Sequence, residues 1–325
     1  MTRAVLVSSS APPTVTDVDV ADPADGEVLV DVTYSSVNYK DGLALARNPG
    51  VARVDPLVPG IDVVGTVSAL GAGVHDVAIG DRIVLNGAGL GETRHGGWAA
   101  HAVVPSGSLV VLPDTIDDSF AAAIGTAGFT AMLSVLALER FVEPGSGPVL
   151  VTGASGGVGT VAIALLAARG HQVTASTGRS ANEASLRALG ATDVVDRATL
   201  SDLGKPMQRA TWAGAVDSVG GATLANVLAT TKWGGAVTAC GLAQDSALPT
   251  TVLPFILRAV SLLGINSVDA PLELRRRAWE RLATDLDPAL LAGVTRVVGL
   301  EEALTVGPQV VAGAVHGRTV VAVDR

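Results

Sequence analysis

The residues best equipped for chemistry begin with the run Val149-Leu150-Val151-Thr152-Gly153-Ala154-Ser155-Gly156-Gly157-Val158-Gly159. Its apolar start reads as a buried strand. Ala154, Gly156 and Gly159 then fill the three small-residue positions of a dinucleotide-binding turn, with alanine in place of the first glycine. Such a turn lets the backbone around Ser155, Gly156, Gly157 and Val158 wrap a pyrophosphate. The alanine-rich helix that follows, Thr160–Ala168, points its positive end at the same anion. For NAD, the next strand ends in Asp or Glu to hold the ribose 2′-hydroxyl. Here His171–Ser176 runs into Thr177-Gly178-Arg179-Ser180, and the first acid is Glu183. Hydroxyls and a guanidinium suit a 2′-phosphate, so the pattern calls for NADPH. Thr177, Gly178 and Arg179 are the residues expected to hold it. Arg197 follows the next strand and is a further candidate at the adenine end, with a surface charge beside Asp196 as the equal alternative.

The elements that must position these residues change character along the chain. Residues 1–115 carry short β-patterned runs, such as Glu27–Tyr34, Val63–Leu70, Asp81–Leu85 and Ala99–Val104, separated by Gly, Pro and Asp. That spacing reads as a compact barrel-like β module. Asp117–Leu138 is alanine-rich with a helical period, interrupted by Gly125 and Gly128. Strands and helices alternate from Val149 to Ile265, the signature of an α/β, doubly wound parallel sheet. A charged helix over Leu272–Leu286, a strand near Thr295–Val298, a helix over Glu301–Val311 and a strand over Arg318–Val323 follow. The simplest arrangement inserts the nucleotide domain, residues 123–266, into a β module made of residues 1–122 and 267–325. The active site is then expected between the two, near the carboxyl ends of the parallel strands.

Composition narrows the function. The chain has 325 residues, 48% of them hydrophobic, enough for two ordinary domains. A net charge of −9 without a basic stripe argues against nucleic acid. Cys240 is the sole cysteine, which excludes an internal disulfide and suits a reducing, cytoplasmic setting. The N-terminal segment enters a strand pattern with no long apolar leader, and no membrane span is expected.

Six dispersed segments add a resemblance. They are Ser35-Ser36-Val37-Asn38-Tyr39-Lys40-Asp41, Val58-Pro59-Gly60-Ile61-Asp62, Ile124–Met132, Gly153–Gly159, Trp212–Gly220 and Leu248–Arg258. Together, over the whole chain, they resemble the medium-chain dehydrogenase/reductase superfamily, and within it the NADPH-dependent acryloyl-CoA reductases. The resemblance implies a Rossmann domain inserted in a GroES-like β-barrel catalytic domain. It also implies reduction of the C=C bond of a short enoyl-CoA by direct hydride transfer. An NADPH-dependent quinone or enone reductase acting without CoA is the alternative, and a dinucleotide-binding protein without turnover is a third.

The zinc-dependent branch of the superfamily has a cysteine near position 38 and Gly-His-Glu near position 60. Asn38 and Ile61-Asp62 stand there, and His75, His95, His101, His171 and His316 show no ligand spacing, so no catalytic metal is expected. Asp62, in place of the zinc-site glutamate, is expected only to order its loop. Asn38 and Tyr39 occupy the superfamily's first catalytic-domain positions, and the resemblance makes both catalytic candidates. Tyr39 is the candidate proton donor, enolate stabiliser or ribose contact, with a half-buried structural tyrosine as the plain alternative. Leu242 and Ser267 follow strands at the sheet's carboxyl edge and, with Ile256, are expected near the nicotinamide; core packing competes for Leu242 and Ile256. Arg275–Arg277 suits CoA phosphates or, more simply, a solvated helix face. The apolar strand Ser261–Ile265 is expected at a sheet edge, covered by a second copy in a homodimer.

Overall fold

The computed structural model describes residues 1–324. They form two compact units: Met1–Phe129 with Ser267–Ala283 and Leu291–Arg325, and Thr130–Asn266 with Thr284–Leu290. The first unit gives way to the second between Phe129 and Thr130, and Thr284–Leu290 groups with the second unit.

The chain begins with β1 (Thr2–Ser8), β2 (Ala11–Val18), β3 (Glu27–Ser36), α1 (Tyr39–Leu45), β4 (Asp62–Leu70), β5 (Arg82–Asn86), β6 (His101–Pro105) and β7 (Val110–Val111). Helix α2 (Asp118–Leu138) follows, broken at Gly125, whose φ of 49° is open to glycine. It is long and apolar enough to span a membrane, but 89% of its most apolar window is buried, which marks it as a core helix.

In the second unit come β8 (Val149–Val151), α3 (Gly157–Ala168), β9 (Val173–Thr177), α4 (Glu183–Ala188), β10 (Asp193–Asp196), α5 (Ala198–Ser201), β11 (Trp212–Asp217), α6 (Gly221–Thr230), β12 (Thr231–Ala239), α7 (Leu253–Arg258) and β13 (Ser261–Gly264). The strands pair in parallel in the order β10-β9-β8-β11-β12-β13. In chain order that is 3-2-1-4-5-6, with the reversal between β8 and β11. The central strand β8 is buried at every residue, as a sheet covered on both faces requires. Leu150, Ala215, Leu224, Val227, Leu228 and Val237 form one buried cluster here.

The chain returns through α8 (Leu272–Asp285), α9 (Pro288–Ala292), β14 (Thr295–Val298), α10 (Leu300–Val311) and β15 (Arg318–Ala322). A seven-stranded sheet runs β14-β15-β3-β4-β5-β7, with β6 also on β3. The ten residues of β3 serve β6 along Glu27–Asp31 and β15 along Tyr34–Ser36. Val28, Val30 and Val32 alternate inward along it and join Val63, Ile83, Leu85 and Val321 in the core. Helix α1 is held against α10 where Gly42 meets Gly307: a Cβ on Gly42 would stand 2.9 Å from the Gly307 carbonyl carbon.

Candidate active site and nucleotide-binding turn

In the second unit the glycine turn leaves β8 through Gly153, at φ 59°, and enters α3 at Gly156, its N-cap. Gly159 packs the helix onto that turn, where a Cβ would stand 2.6 Å from Ala154 Cα. The end of β9 is tied to the turn: Ser155 Oγ and Thr177 Oγ1 are 2.8 Å apart, and Ala154 N donates to Ser176 O at 3.2 Å. Arg179 N donates to Thr177 Oγ1 at 3.2 Å, and Arg197 N donates to Thr177 O at 3.0 Å. The Arg197 side chain crosses Gly178, where a Cβ would stand 2.8 Å from its Cδ. Ser155, Thr177, Gly178, Arg179 and Arg197 are thus brought together, and Arg179 and Arg197 are exposed. No carboxylate ends β9. These residues fit an adenosine ribose that carries a 2′-phosphate, and the turn fits a pyrophosphate.

Leu242 is 60% exposed and Ile256 68% exposed, so neither is a core residue. Cys240 donates through Sγ to Asp217 O at 3.2 Å; burial, with Asp217 nearby, pushes its thiol up to about 12, which leaves it unreactive.

The first unit contains a buried polar cluster whose extent the sequence did not reveal. Asp62, fully buried at the start of β4, accepts from Ser36 Oγ (2.5 Å), Asn38 Nδ2 (2.8 Å), Asn86 Nδ2 (2.7 Å), Thr126 N (2.8 Å) and Thr126 Oγ1 (2.6 Å). It does far more than order its own loop. Arg318, on β15, reaches Asn38 Oδ1 at 3.2 Å, Ser36 Oγ at 3.1 Å and Ala123 O at 2.6 Å. Burial lowers its pKa, and the charges of Asp62 and Asp41 act against that. The turn at Gly125 passes so close that a Cβ there would stand 2.6 Å from Arg318 Nη2.

Asn38 is therefore engaged at both ends of its amide, with Ser36 and Asp62 on one side and Arg318 on the other. Asp41, three residues on, accepts from Asn38 N at 2.7 Å and from Gly60 N and Ile61 N at 3.0 Å each. Its pKa is raised to about 7, first by burial, against the hydrogen bond from Asn38 N, and with Asp62 adding to the rise. Between these fixed neighbours Tyr39 opens α1 and is 41% exposed. The Asn38–Asp41 spacing is that of a capping box and could have flagged Asp41. Arg318 had no local signal.

Ser267 belongs to this first unit, where its carbonyl accepts from Arg275 Nη2 at 3.3 Å. Arg275 itself corrects an expectation. It is buried, donates to Asn86 O (2.6 Å), Ala270 O (2.9 Å) and Val268 O (2.7 Å), and lies over the Phe129 ring at 5.5 Å. It is neither a solvated face nor open to a CoA phosphate; Arg276 and Arg277 remain exposed. Among the described residues no group of three or more His, Cys, Asp or Glu stands ready to hold a metal ion.

One unit with a parallel sheet of order 3-2-1-4-5-6 and a glycine turn at its reversal, and a second, β unit built around a buried Asp–Arg–Asn cluster, are the two parts of a nucleotide-dependent dehydrogenase or reductase. Residues 24–114 match the family described as alcohol dehydrogenase GroES-like domain, and residues 157–284 match zinc-binding dehydrogenase. The chain belongs to this medium-chain dehydrogenase/reductase family. It is 48% identical to a Ruegeria pomeroyi protein named acrylyl-CoA reductase AcuI, over 92% of this chain and 91% of that one. It is 44% identical to a Bacillus subtilis protein named putative quinone oxidoreductase YhfP, over 92% of this chain and 91% of that one. A solved structure of that Bacillus protein, described with NAD bound, has a TM-score of 0.93 at 40% identity, covering 99% of each chain. The yhdH oxidoreductase of Salmonella enterica in complex with NADP superposes with a TM-score of 0.95 at 42% identity, covering 99% of this chain and 100% of that one.

Proposed function

We propose that this chain is an NADPH-dependent reductase of acryloyl-CoA, or a similarly short enoyl-CoA, giving propionyl-CoA or its saturated counterpart. The observation that carries the reading is the 48% identity over 92% of the chain with a protein named acrylyl-CoA reductase. NADPH, when bound, supplies a hydride for the β-carbon of the enoyl thioester. The chain's own residues do the rest. Ser155, Gly156, Gly157 and Val158 hold the pyrophosphate, and Thr177, Gly178, Arg179 and Arg197 hold the 2′-phosphate. Leu242, Ile256 and Ser267 are assigned to the nicotinamide half. The thioester oxygen takes up the developing negative charge, and the α-carbon then takes a proton. Tyr39 is assigned as the donor to that oxygen or carbon, because it carries a hydroxyl and opens α1 at a partly exposed position, while the Asn38 amide beside it is engaged at both ends. Asn38 then orders the start of α1.

The reaction as proposed needs no metal. Zinc would want thiolates, neutral imidazoles or open carboxylates. Asn38 offers none of these, and both Asp62 oxygens already accept hydrogen bonds.

Reduction of a quinone or enone without CoA is the second reading, favoured by the likeness to YhfP. Mixing the protein with NADPH and, separately, acryloyl-CoA, crotonyl-CoA, a quinone and an enal separates the two. The first reading expects the highest kcat/KM with acryloyl-CoA. Preference for the quinone or enal would replace it, and NADPH binding without oxidation by any partner would end both.

A cytoplasmic homodimer completes the proposal. Strand β13 ends the parallel sheet, with Leu262 and Leu263 half-buried, and Val252, Ile256 and Leu257 on and beside α7 are exposed. Light scattering should return twice the chain mass of 32.6 kDa; a monomer at micromolar concentration would refute it.

A further inference from the structure

One buried carboxylate beside the nucleotide turn, Asp217, takes no part in the proposed hydride and proton transfers. Asp217 ends β11, next to β8, at the reversal in strand order. Its Oδ1 accepts from Thr152 Oγ1 at 2.6 Å, and Thr152 is the residue that follows β8. Its Oδ2 accepts from Gly220 N at 2.8 Å and Val219 N at 3.3 Å. Thr152 Oγ1 in turn accepts from Ser218 N, and Ser218 Oγ donates to Thr152 O, both at 3.2 Å. One carboxylate and one hydroxyl therefore tie the end of β8 to the turn Ser218–Gly220.

That same turn meets the loop after β12. Cys240 N donates to Asp217 O at 2.9 Å, and Gln244 N donates to Val219 O at 2.8 Å. Gly220 also bridges to Asp245. The packing leaves no slack. A Cβ on Gly241 would stand 2.8 Å from the Ser218 carbonyl carbon, and one on Gly153 would stand 3.3 Å from Val219 Cγ2. A Cβ on Gly220 would stand 3.2 Å from Leu242 Cα. Gly153, which opens the pyrophosphate turn, and Leu242, assigned to the nicotinamide half, thus abut one short segment. Asp217 holds that segment from beneath.

A buried carboxylate is costly unless donors are aimed at it, and here each oxygen has one or more. The amide of asparagine cannot accept at both positions. Replacing Asp217 would therefore release the turn rather than merely remove charge.

We propose that Asp217 is a positioning residue for dinucleotide binding: through Thr152 and the turn Ser218–Gly220 it locks the glycine turn and the Gly241–Asp245 loop into one geometry. The proposal rests on the nucleotide reading above. Because the pyrophosphate and nicotinamide are common to both cofactors, Asp217 does not discriminate between them.

The test compares Asp217→Asn, Thr152→Val and Thr152→Ser with the wild type, reading Kd for NADPH and for NADH, kcat, KM and the unfolding midpoint. Asp217→Asn and Thr152→Val should each weaken both cofactors by the same factor, roughly tenfold, the scale of a lost charge-assisted hydrogen bond. KM for NADPH should rise with kcat largely kept. Thr152→Ser retains the hydroxyl and should bind as the wild type does. The double variant should fall well short of the product of the two single effects, since both cut one network. If Asp217→Asn does not fold, the Thr152 pair decides the matter alone. Dinucleotide binding within about twofold of wild type in Asp217→Asn or Thr152→Val, or Thr152→Ser as weak as Thr152→Val, would overturn the proposal. A wild type that binds neither dinucleotide would instead overturn the nucleotide reading.

Discussion

The Arg197 side chain lies across Gly178, so close that a Cβ on Gly178 would stand 3.0 Å from the centre of its guanidinium. Arg197 follows β10 and Gly178 follows β9, so two neighbouring parallel strands deliver a cation to one point. Arg179 adds a second cation from the adjacent residue, and Thr177 supplies a hydroxyl. Two cations and a hydroxyl suit a phosphate ester, and no carboxylate ends β9, although Asp196, which ends β10, pairs with Thr177.

Arg179→Ala and Arg197→Ala should each weaken NADPH by about tenfold or more, the scale of one charge-assisted contact of roughly 1.5–3 kcal/mol. NADH has no 2′-phosphate and should bind almost unchanged. Titration of each variant with both cofactors checks this. Equal losses for NADPH and NADH would remove the 2′-phosphate assignment.

Asp41 offers a pH effect of definite sign. Its carboxyl is raised from 3.8 to about 7, first by burial, against the hydrogen bond from Asn38 N. The folded state thus holds this proton more tightly than the unfolded state. Its stabilising contribution is full below pH 3.8, falls as pH rises from there to about 7, and is flat above. Asp41→Asn abolishes that titration while keeping an Oδ1 for Gly60 and Ile61. Urea unfolding between about pH 5 and 8 should show the variant gaining on the wild type up to neutrality, by an amount on the order of 2–3 kcal/mol. A difference independent of pH would mean that Asp41 keeps an ordinary acidity.

The sequence made the alternation of the second unit plain, because apolar strands and alanine-rich helices differ in period and are separated by glycine turns. The inward Val28, Val30 and Val32 of β3 were equally visible. Arg275 was misread because three consecutive arginines look like one charged face. The helical period places Arg275 with Ala278, Trp279 and Leu282, all buried, and that signal was present. The Asp62–Arg318–Asn38 cluster could not be read, because its members come from β4, β15 and the start of α1 and meet only when the sheet closes. The tie between Asp217 and Thr152 is hidden for a related reason: Thr152 follows β8, a strand adjacent to β11 in space but not in sequence.

Turnover should be indifferent to metal removal. Asn38 and Asp62 occupy the positions where a zinc enzyme of this family would carry ligands, and their polar atoms are already committed to Ser36, Asn86, Thr126 and Arg318. Prolonged dialysis against a strong chelator should leave kcat and the unfolding midpoint unchanged. Loss of activity restored by zinc would contradict the proposed chemistry.

Tyr39 carries the sharpest prediction. Its backbone is fixed on both sides, by Asn38 in the buried cluster and by Asp41 bound to the Gly60–Ile61 amides, while its ring stays partly exposed. If its hydroxyl serves the developing enolate, it matters more in the transition state than in the ground state. Tyr39→Phe should then lower kcat by roughly 10²-fold, the lower range for a lost general acid, with NADPH affinity little changed. A contact to the cofactor ribose alone would instead raise KM for NADPH and spare kcat. Steady-state kinetics with acryloyl-CoA varied at saturating NADPH, then the reverse, separates the two. An unchanged kcat would take Tyr39 off the catalytic path and leave a backbone N–H or a solvent molecule to deliver the proton.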